Sequence, residues 1–393
     1  MRPTRALIVM LGSVAACLAG QSAEASSGHE LIKRFECNRC HAVPGVVDAP
    51  QEKHCVRCHQ NILSGKFEAP SETLTQWRQN ITSLREVPSL ENMKGRFEWR
   101  WVRDFLLEPR DLRPRLDATM PRLALSPAEA EALAKHLAGA TKPSALAPGG
   151  DPERGRRHLG ERGCTVCHLY SGAPPSASKM PFALEPEALL RGMMLAPDLR
   201  HTRDRMVPAA VVAQIKTPAP WKTAASPMPT LPVSDAEALD IAAWILGAPL
   251  EASKPRRAPA PLPLLKRRVS FDEVNKKVFK KVCWHCHAEA DYASGDGGPG
   301  NTGGFGFSGR GINFANFAAV ASGGRDAEGE RRSLFRPLEG SQTPWLVAAL
   351  RARQSEEAGS AVAGLRGMPL GLPALSPTEI QLVESWIAQG QPR

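Results

Sequence analysis

Apolar and polar positions follow one pattern three times along the 393 residues. Ala130, Leu133, Ala134 and Leu137 form one set, Leu239, Ile241, Ala242 and Ile245 a second, and Ile380, Val383 and Ile387 a third. Each set makes a stripe at helical spacing, which predicts three helices with one buried face. The residues ahead of each stripe also match. Ser126 with Glu129, Ser234 with Glu237 and Ser376 with Glu379 put serine at an N-cap and glutamate at N3, a capping box. Pro127 and Pro377 take the N1 position, where the fixed φ of proline suits a first turn. Ten residues beyond the cap serines stand His136, Trp244 and Trp386, expected to share one structural position. A short apolar loop enters each box, beginning Met120-Pro121, Met228-Pro229 and Met368-Pro369.

Each unit also opens with a helical pattern, over residues 29–35, 152–162 and 271–281. A middle helix is expected at 97–107 and again at 207–215, stopped by Pro109 and Pro218. Pro88-Ser89-Leu90 and Pro197-Asp198-Leu199 hold comparable places before those helices. Segments rich in Pro, Ala and Gly lie between the units, at 142–150 and 249–267. The third unit carries an extra glycine-rich stretch, 295–311. It lacks the Lys-Ser/Thr of a phosphate loop and no strand leads into it, so it reads as a tight-turning loop.

The opening helices run into the chemistry. Four Cys-x-x-Cys-His motifs occur: Cys37, Cys40 and His41; Cys55, Cys58 and His59; Cys164, Cys167 and His168; Cys283, Cys286 and His287. Nine Cys and ten His placed at random would give about 0.005 copies. Two cysteines three positions apart can each form a thioether with one haem, and the next histidine can bind its iron from the proximal side. A zinc knuckle also uses Cys pairs but does not need a histidine fixed after every pair. Disulfides would not need the spacing. The reading is four covalent c-type haems.

Helix, Cys-x-x-Cys-His, long loop, Met-Pro and closing helix together resemble the class I cytochrome c fold. The expected architecture is therefore mainly α: three tandem class I cytochrome c-like domains, the first with an extra haem motif inserted. The implied boundaries are 26–141 for the dihaem domain, 151–248 for the second domain and 268–393 for the third. The resemblance makes Met120, Met228 and Met368 distal ligands and crosses the first and last helices of each domain.

One motif is then left over. Pro44, Gly45 and Pro50 precede Cys55, whereas a helical segment precedes Cys37, so the Cys55 motif reads as the insertion. A second register stays open, because His59 to Met120 and His168 to Met228 span nearly equal lengths. The candidates for the distal position of the extra haem are His29 and His54. His136 stands in an aromatic position of the helix crossing, and His285 sits inside a haem motif. His158 and His201 belong to a unit that already has its methionine.

Charge and targeting change the picture modestly. The chain carries +10, but propionates on four haems would add about eight negative charges. Nucleic-acid binding is not inferred from its basicity. Lys266, Arg267, Arg268, Lys276, Lys277, Lys280 and Lys281 form the densest basic region, either a solvated face or a docking patch for an acidic partner. Arg2 and Arg5 precede an apolar run at 6–19, a signal-peptide pattern too short for a membrane span. Residues 1–25 read as a signal peptide cleaved after Ala23-Glu24-Ala25, or as a lipoprotein signal ending before Cys17. Either route delivers the protein to the periplasm, with membrane attachment only through Cys17.

The functional expectation is an electron carrier. It would pass single electrons between protein partners such as a quinol-oxidising complex and a terminal oxidase or reductase. Two alternatives stand beside it. One is a haem enzyme, of peroxidase or nitrogen/sulfur oxyanion reductase type, with the Cys55/Cys58 haem as its open site. The other is a lipid-anchored cytochrome subunit of a respiratory complex.

Overall fold

The computed structural model describes residues 27–117, 119–140, 149–175, 177–178, 183–218, 226–254, 256–288 and 298–393. The signal sequence with Cys17, most of the 142–150 segment and residues 295–297 of the glycine-rich loop lie outside them. The architecture is mainly helical; strand pairing among the described residues is limited to two short hairpins and two isolated bridges.

The three closing helices form as their pattern predicts, at Pro127–Ala138, Asp235–Gly247 and Pro377–Ala388. All three capping boxes are made in both directions, serine hydroxyl to the N3 amide and glutamate back to the serine amide. The opening helices span Gly28–Arg34 and Pro152–Glu161. In the third unit one α-turn, Phe271–Val274, continues as a wider π-helix through Asn275–Cys283. Middle helices run at Trp99–Leu107 and Pro208–Lys216. The third unit has its own, Trp345–Glu357, which the periodicity did not single out.

Opening and closing helices pack against each other in every unit, and three separate buried clusters result. Leu31, Ile32 and Phe35 meet Leu133, Ala134 and Leu137 in the first. Leu159 meets Ile241, Ala242 and Ile245 in the second. Phe271, Val278 and Phe279 meet Ile380, Val383 and Trp386 in the third. The second pair crosses closely because Gly155 has no side chain: a Cβ there would overlap the Asp240 carbonyl. The Arg154 guanidinium then reaches Asp240 from the same turn, at 2.8 and 3.0 Å.

The expected equivalence of His136, Trp244 and Trp386 holds only in part. Trp386 and Trp244 are buried, with ring contacts at 5.8 Å to Phe271 and 6.2 Å to Tyr170 respectively. His136 is exposed. In the first unit Gly28 sits directly on the Cβ of His136 and closes the crossing without an aromatic ring.

The first two units meet through matching positions. Phe97 and Met206, each just before its middle helix, form an antiparallel bridge. The Glu98 amide donates to the Arg205 carbonyl at 2.9 Å, and the Val207 amide to the Arg96 carbonyl at 2.9 Å. Like surfaces thus face each other, the pattern of a two-fold contact. Arg191 adds a bidentate ion pair with Glu86, at 2.7 and 2.9 Å.

The third unit meets the first by other means. The Phe305 amide, in the glycine-rich loop, donates to the Glu36 carboxylate at 2.8 Å. The Arg39 guanidinium lies over the Phe305 ring at 5.1 Å, and Arg366 donates to the Arg122 carbonyl beside the Met120 loop.

Candidate functional site: the Cys-x-x-Cys-His motifs

Each motif lies on one turn of helix or tighter. In the first, Glu36 takes a left-handed conformation (φ 51°), the chain turns through Cys37–Arg39, and the His41 amide closes on the Cys37 carbonyl at 2.9 Å. In the third, Gly163 (φ 74°) makes the same bend, Cys164–Cys167 is helical, and His168 closes on Cys164 at 2.9 Å. The fourth continues straight from the π-helix, with His287 closing on Cys283 at 3.1 Å. The second opens a helix, Cys55–Leu63. Residues three apart on a helical turn share a face, so each pair presents its two thiols together. No disulfide joins the eight described cysteines. Burial pushes Cys37, Cys58 and Cys164 up to about 11 and Cys283 up to about 12. Contact with Cys55, ahead of burial, raises Cys40 well above the ordinary thiol range.

The four histidines share a further feature. His41 Nδ1 bonds the Pro88 carbonyl at 2.7 Å and His168 Nδ1 bonds the Pro197 carbonyl at 2.9 Å. His59 Nδ1 bonds the Ser83 carbonyl at 3.2 Å, and His287 Nδ1 bonds the Ile312 carbonyl at 3.3 Å. A carbonyl only accepts, so Nδ1 carries the proton and Nε2 keeps its lone pair. That is the tautomer and orientation that a metal-binding histidine needs. Burial also lowers the pKa of all four, favouring the neutral ring.

The methionines fall where the register question can be read. One cavity of about 390 Å³ is lined by Cys40, His41 and Met120 and, across it, by Cys164, His168 and Met228. Met120 thus lines a cavity with Cys40 and His41 and packs on the core that Cys37 joins, and no residue of the second motif lines that cavity. The Met228 sulfur receives the Gln214 amide at 3.8 Å. Met368 packs on the third core, as Cys283 does, and its amide donates to the Ala349 carbonyl of the middle helix at 2.9 Å.

The second motif is enclosed differently. Cys55 touches Cys40 of the first. On the other side, His59 lies near His285, with ring centres 6.5 Å apart and planes at 82°. Trp77, on the helix Ser71–Asn80, stacks on Trp284 at 6.3 Å and 26°. His54 caps the Cys55–Leu63 helix, its Nδ1 accepting from the Arg57 amide at 3.2 Å. His29 pairs with His136 at the first helix crossing, ring centres 6.5 Å apart.

The glycine-rich loop wraps the fourth motif. A Cβ on Gly298 would overlap the Cys286 backbone, and one on Gly300 the His287 ring. The Phe314 amide bonds the His287 carbonyl at 2.7 Å.

The residues around the large cavity suit a group with two carboxylates. Arg96 and Arg205 line it from matching positions. Arg205 Nε is buried with no hydrogen-bond partner. Burial, with Arg96 next, lowers the Arg205 pKa to about 10. Uncompensated buried guanidinium groups are costly, and haem propionates would match them. Among the described residues, no three His, Cys, Asp or Glu side chains gather as a bare metal ion would need.

Two features escaped sequence reasoning. The shared cavity depends on Phe97 and Met206 meeting across units, which no local pattern encodes. The approach of His285 to His59 joins residues far apart in the chain; the unusual histidine between two haem-motif cysteines was its one local signal.

The basic region is partly neutralised. Arg267 and Lys277 both pair with Glu273, at 2.7 Å each, and Lys281 pairs with Glu379 at 3.1 Å. Among the described residues no helix is long and apolar enough to cross a membrane.

No protein-family model, curated protein or solved structure matches the chain. A Cys-x-x-Cys-His motif on a mainly helical fold with minimal sheet is consistent with a c-type cytochrome domain.

Proposed function

We propose that the chain is an exported multihaem c-type cytochrome that carries single electrons between redox partners through four covalently bound haems. On this reading it comprises three class I cytochrome c-like domains, the first holding two haems. Haem iron held between two axial side chains supplies a one-electron couple with no vacant coordination site. The observation that carries the reading is the shared one: four motif histidines, each with Nδ1 on a backbone carbonyl. Met120, Met228 and Met368 are the distal ligands of the first, third and fourth motifs.

The contacts between motifs support a relay. The third motif shares a cavity with the first, the first touches the second through Cys40 and Cys55, and the second meets the fourth through His59 and His285. The spatial order is thus third, first, second, fourth. In the chain the inserted motif stands between the first and third; in space it stands between the first and fourth. Half-buried histidine and methionine side chains hold the axial positions beside apolar cores. Such preformed sites need little rearrangement when charge changes. The external partners are redox proteins, the quinol-oxidising and terminal complexes of a respiratory chain, reached in the periplasm.

The test is the mass and spectrum of the mature protein. The expected mass is the processed chain plus four haems. Met228→Ala should abolish about a third of the thioether-ligated haem signature, since one of three methionine-ligated irons loses its ligand. A chain without covalent porphyrin, or a spectrum unchanged by Met228→Ala, would overturn the reading.

A further inference from the structure

The second motif has no Met-Pro loop of its own, because Met120 faces the first. We propose that His285 supplies the distal ligand of the haem attached at Cys55 and Cys58, opposite His59. This rests on the four-haem reading and names the sixth ligand that the reading leaves open.

The argument starts with spacing. A metal–imidazole bond is about 2 Å and a ring nitrogen lies about 1.1 Å from its ring centre, so two trans imidazoles on one metal stand about 6.2 Å apart. The His59 and His285 centres are 6.5 Å apart. Direct stacking would bring them closer; Trp284 and His285 are at 4.4 Å. The His59 and His285 planes are nearly perpendicular, at 82°, which two rings sharing one axis through a metal can adopt.

Distance alone would not carry the case. His29 and His136 also stand 6.5 Å apart. Neither follows a cysteine pair, and neither belongs to a Cys-x-x-Cys-His motif. His59 follows Cys55 and Cys58, and its Nδ1 is tied to Ser83 at 3.2 Å. His285 bonds the backbone of Val282, which leaves one nitrogen for the iron. His285 is exposed, but its ring lies against Trp284 at 4.4 Å and faces His59. Together these describe a side chain held toward His59.

Packing fixes the imidazole. Phe67 meets Trp77 edge-on at 5.9 Å, Trp77 stacks on Trp284, and Trp284 lies against His285. The inserted segment thus clamps the residue beside the ligand it would use. His54 is committed to capping its helix, and His29 lies at the first helix crossing.

Two consequences follow. The second haem would be ligated on both faces, which leaves no vacant position for a haem enzyme at that site. His285 also lies next to Cys286, so one peptide link would join the iron of the second haem to a thioether of the fourth.

The experiment uses the full-length ferric holoprotein, with haem counted by peptide mass and ligation read by electron paramagnetic resonance and near-infrared magnetic circular dichroism. The wild type should show one bis-imidazole haem beside three imidazole–thioether haems. His285→Ala should keep the haem count while one haem becomes high-spin and binds azide; imidazole in the buffer should restore low spin. His285→Met should raise the thioether signature by about one third. His54→Ala and His29→Ala should leave the bis-imidazole signal in place. An unchanged spectrum in His285→Ala at full haem count overturns the proposal, as does loss of that signal in His54→Ala or His29→Ala. If His285→Ala fails to mature, a wild type without a bis-imidazole haem overturns it equally. A wild-type peptide carrying Cys55 and Cys58 without haem marks failure of the four-haem reading itself.

Discussion

The junction between the first two units and the junction between the first and third are built on opposite plans. The former pairs like with like: Phe97 with Met206, Arg96 beside Arg205, and two motif cavities merged into one. The latter uses residues that only one partner possesses. The third unit contributes a glycine-rich loop, Trp284 and His285; the first contributes the inserted helices with His59 and Trp77. Matched repeats can meet through a surface they already share, whereas unmatched units need dedicated side chains. The insertion in the first unit therefore connects the third to the others together with Glu36, Arg39 and Arg122.

The same contrast appears inside the units, where it can be broken by substitution. The third core is aromatic, with Trp386 fully buried among Phe271, Phe279, Phe317 and Phe335. Trp386→Ala should cost about 3–5 kcal/mol. His136→Ala, at the matching but exposed position, should change stability by no more than about 0.5 kcal/mol. Chemical denaturation of the two variants measures the difference; equal losses would mean that the crossings are equivalent after all.

Gly155→Ala comes next. Its methyl group would overlap the Asp240 carbonyl, and overpacking of this kind costs about 1–3 kcal/mol. A melting temperature like that of the wild type would show that the second crossing has slack.

The smallest effect is acid sensitivity. The Arg162 guanidinium, with help from Ser234, holds Glu237 down at about 2. A depressed carboxylate stabilises the fold at pH above its ordinary value of 4.5, and the contribution is lost as pH falls from there toward 2. Glu237 is partly exposed, so screening keeps the effect small. Glu237→Gln should flatten the pH dependence of melting in that window. An equally steep profile in the variant would move the acid sensitivity to another group.

Much of each unit was legible from local pattern. The capping boxes and the thiol–imidazole turns depend on residues within a few positions of one another, and those interactions form as the spacing dictates. The middle helix Trp345–Glu357 was missed because it carries no cap signal of that kind. The His136 position was misjudged because Gly28, over a hundred residues away in the chain, decides how the helices close.

The sequence by itself determined the chemistry: which cysteines come in pairs, which histidine follows each pair, and which methionines precede a capped helix. Tertiary structure alone decided which motif Met120 faces, that the first and third motifs open into one cavity, and that His285 stands across from His59. The physical reason is range. Thiol pairing and helix capping act within one turn of chain, while axial pairing across a haem requires two side chains about 6 Å apart in space, a distance set by how separate units pack.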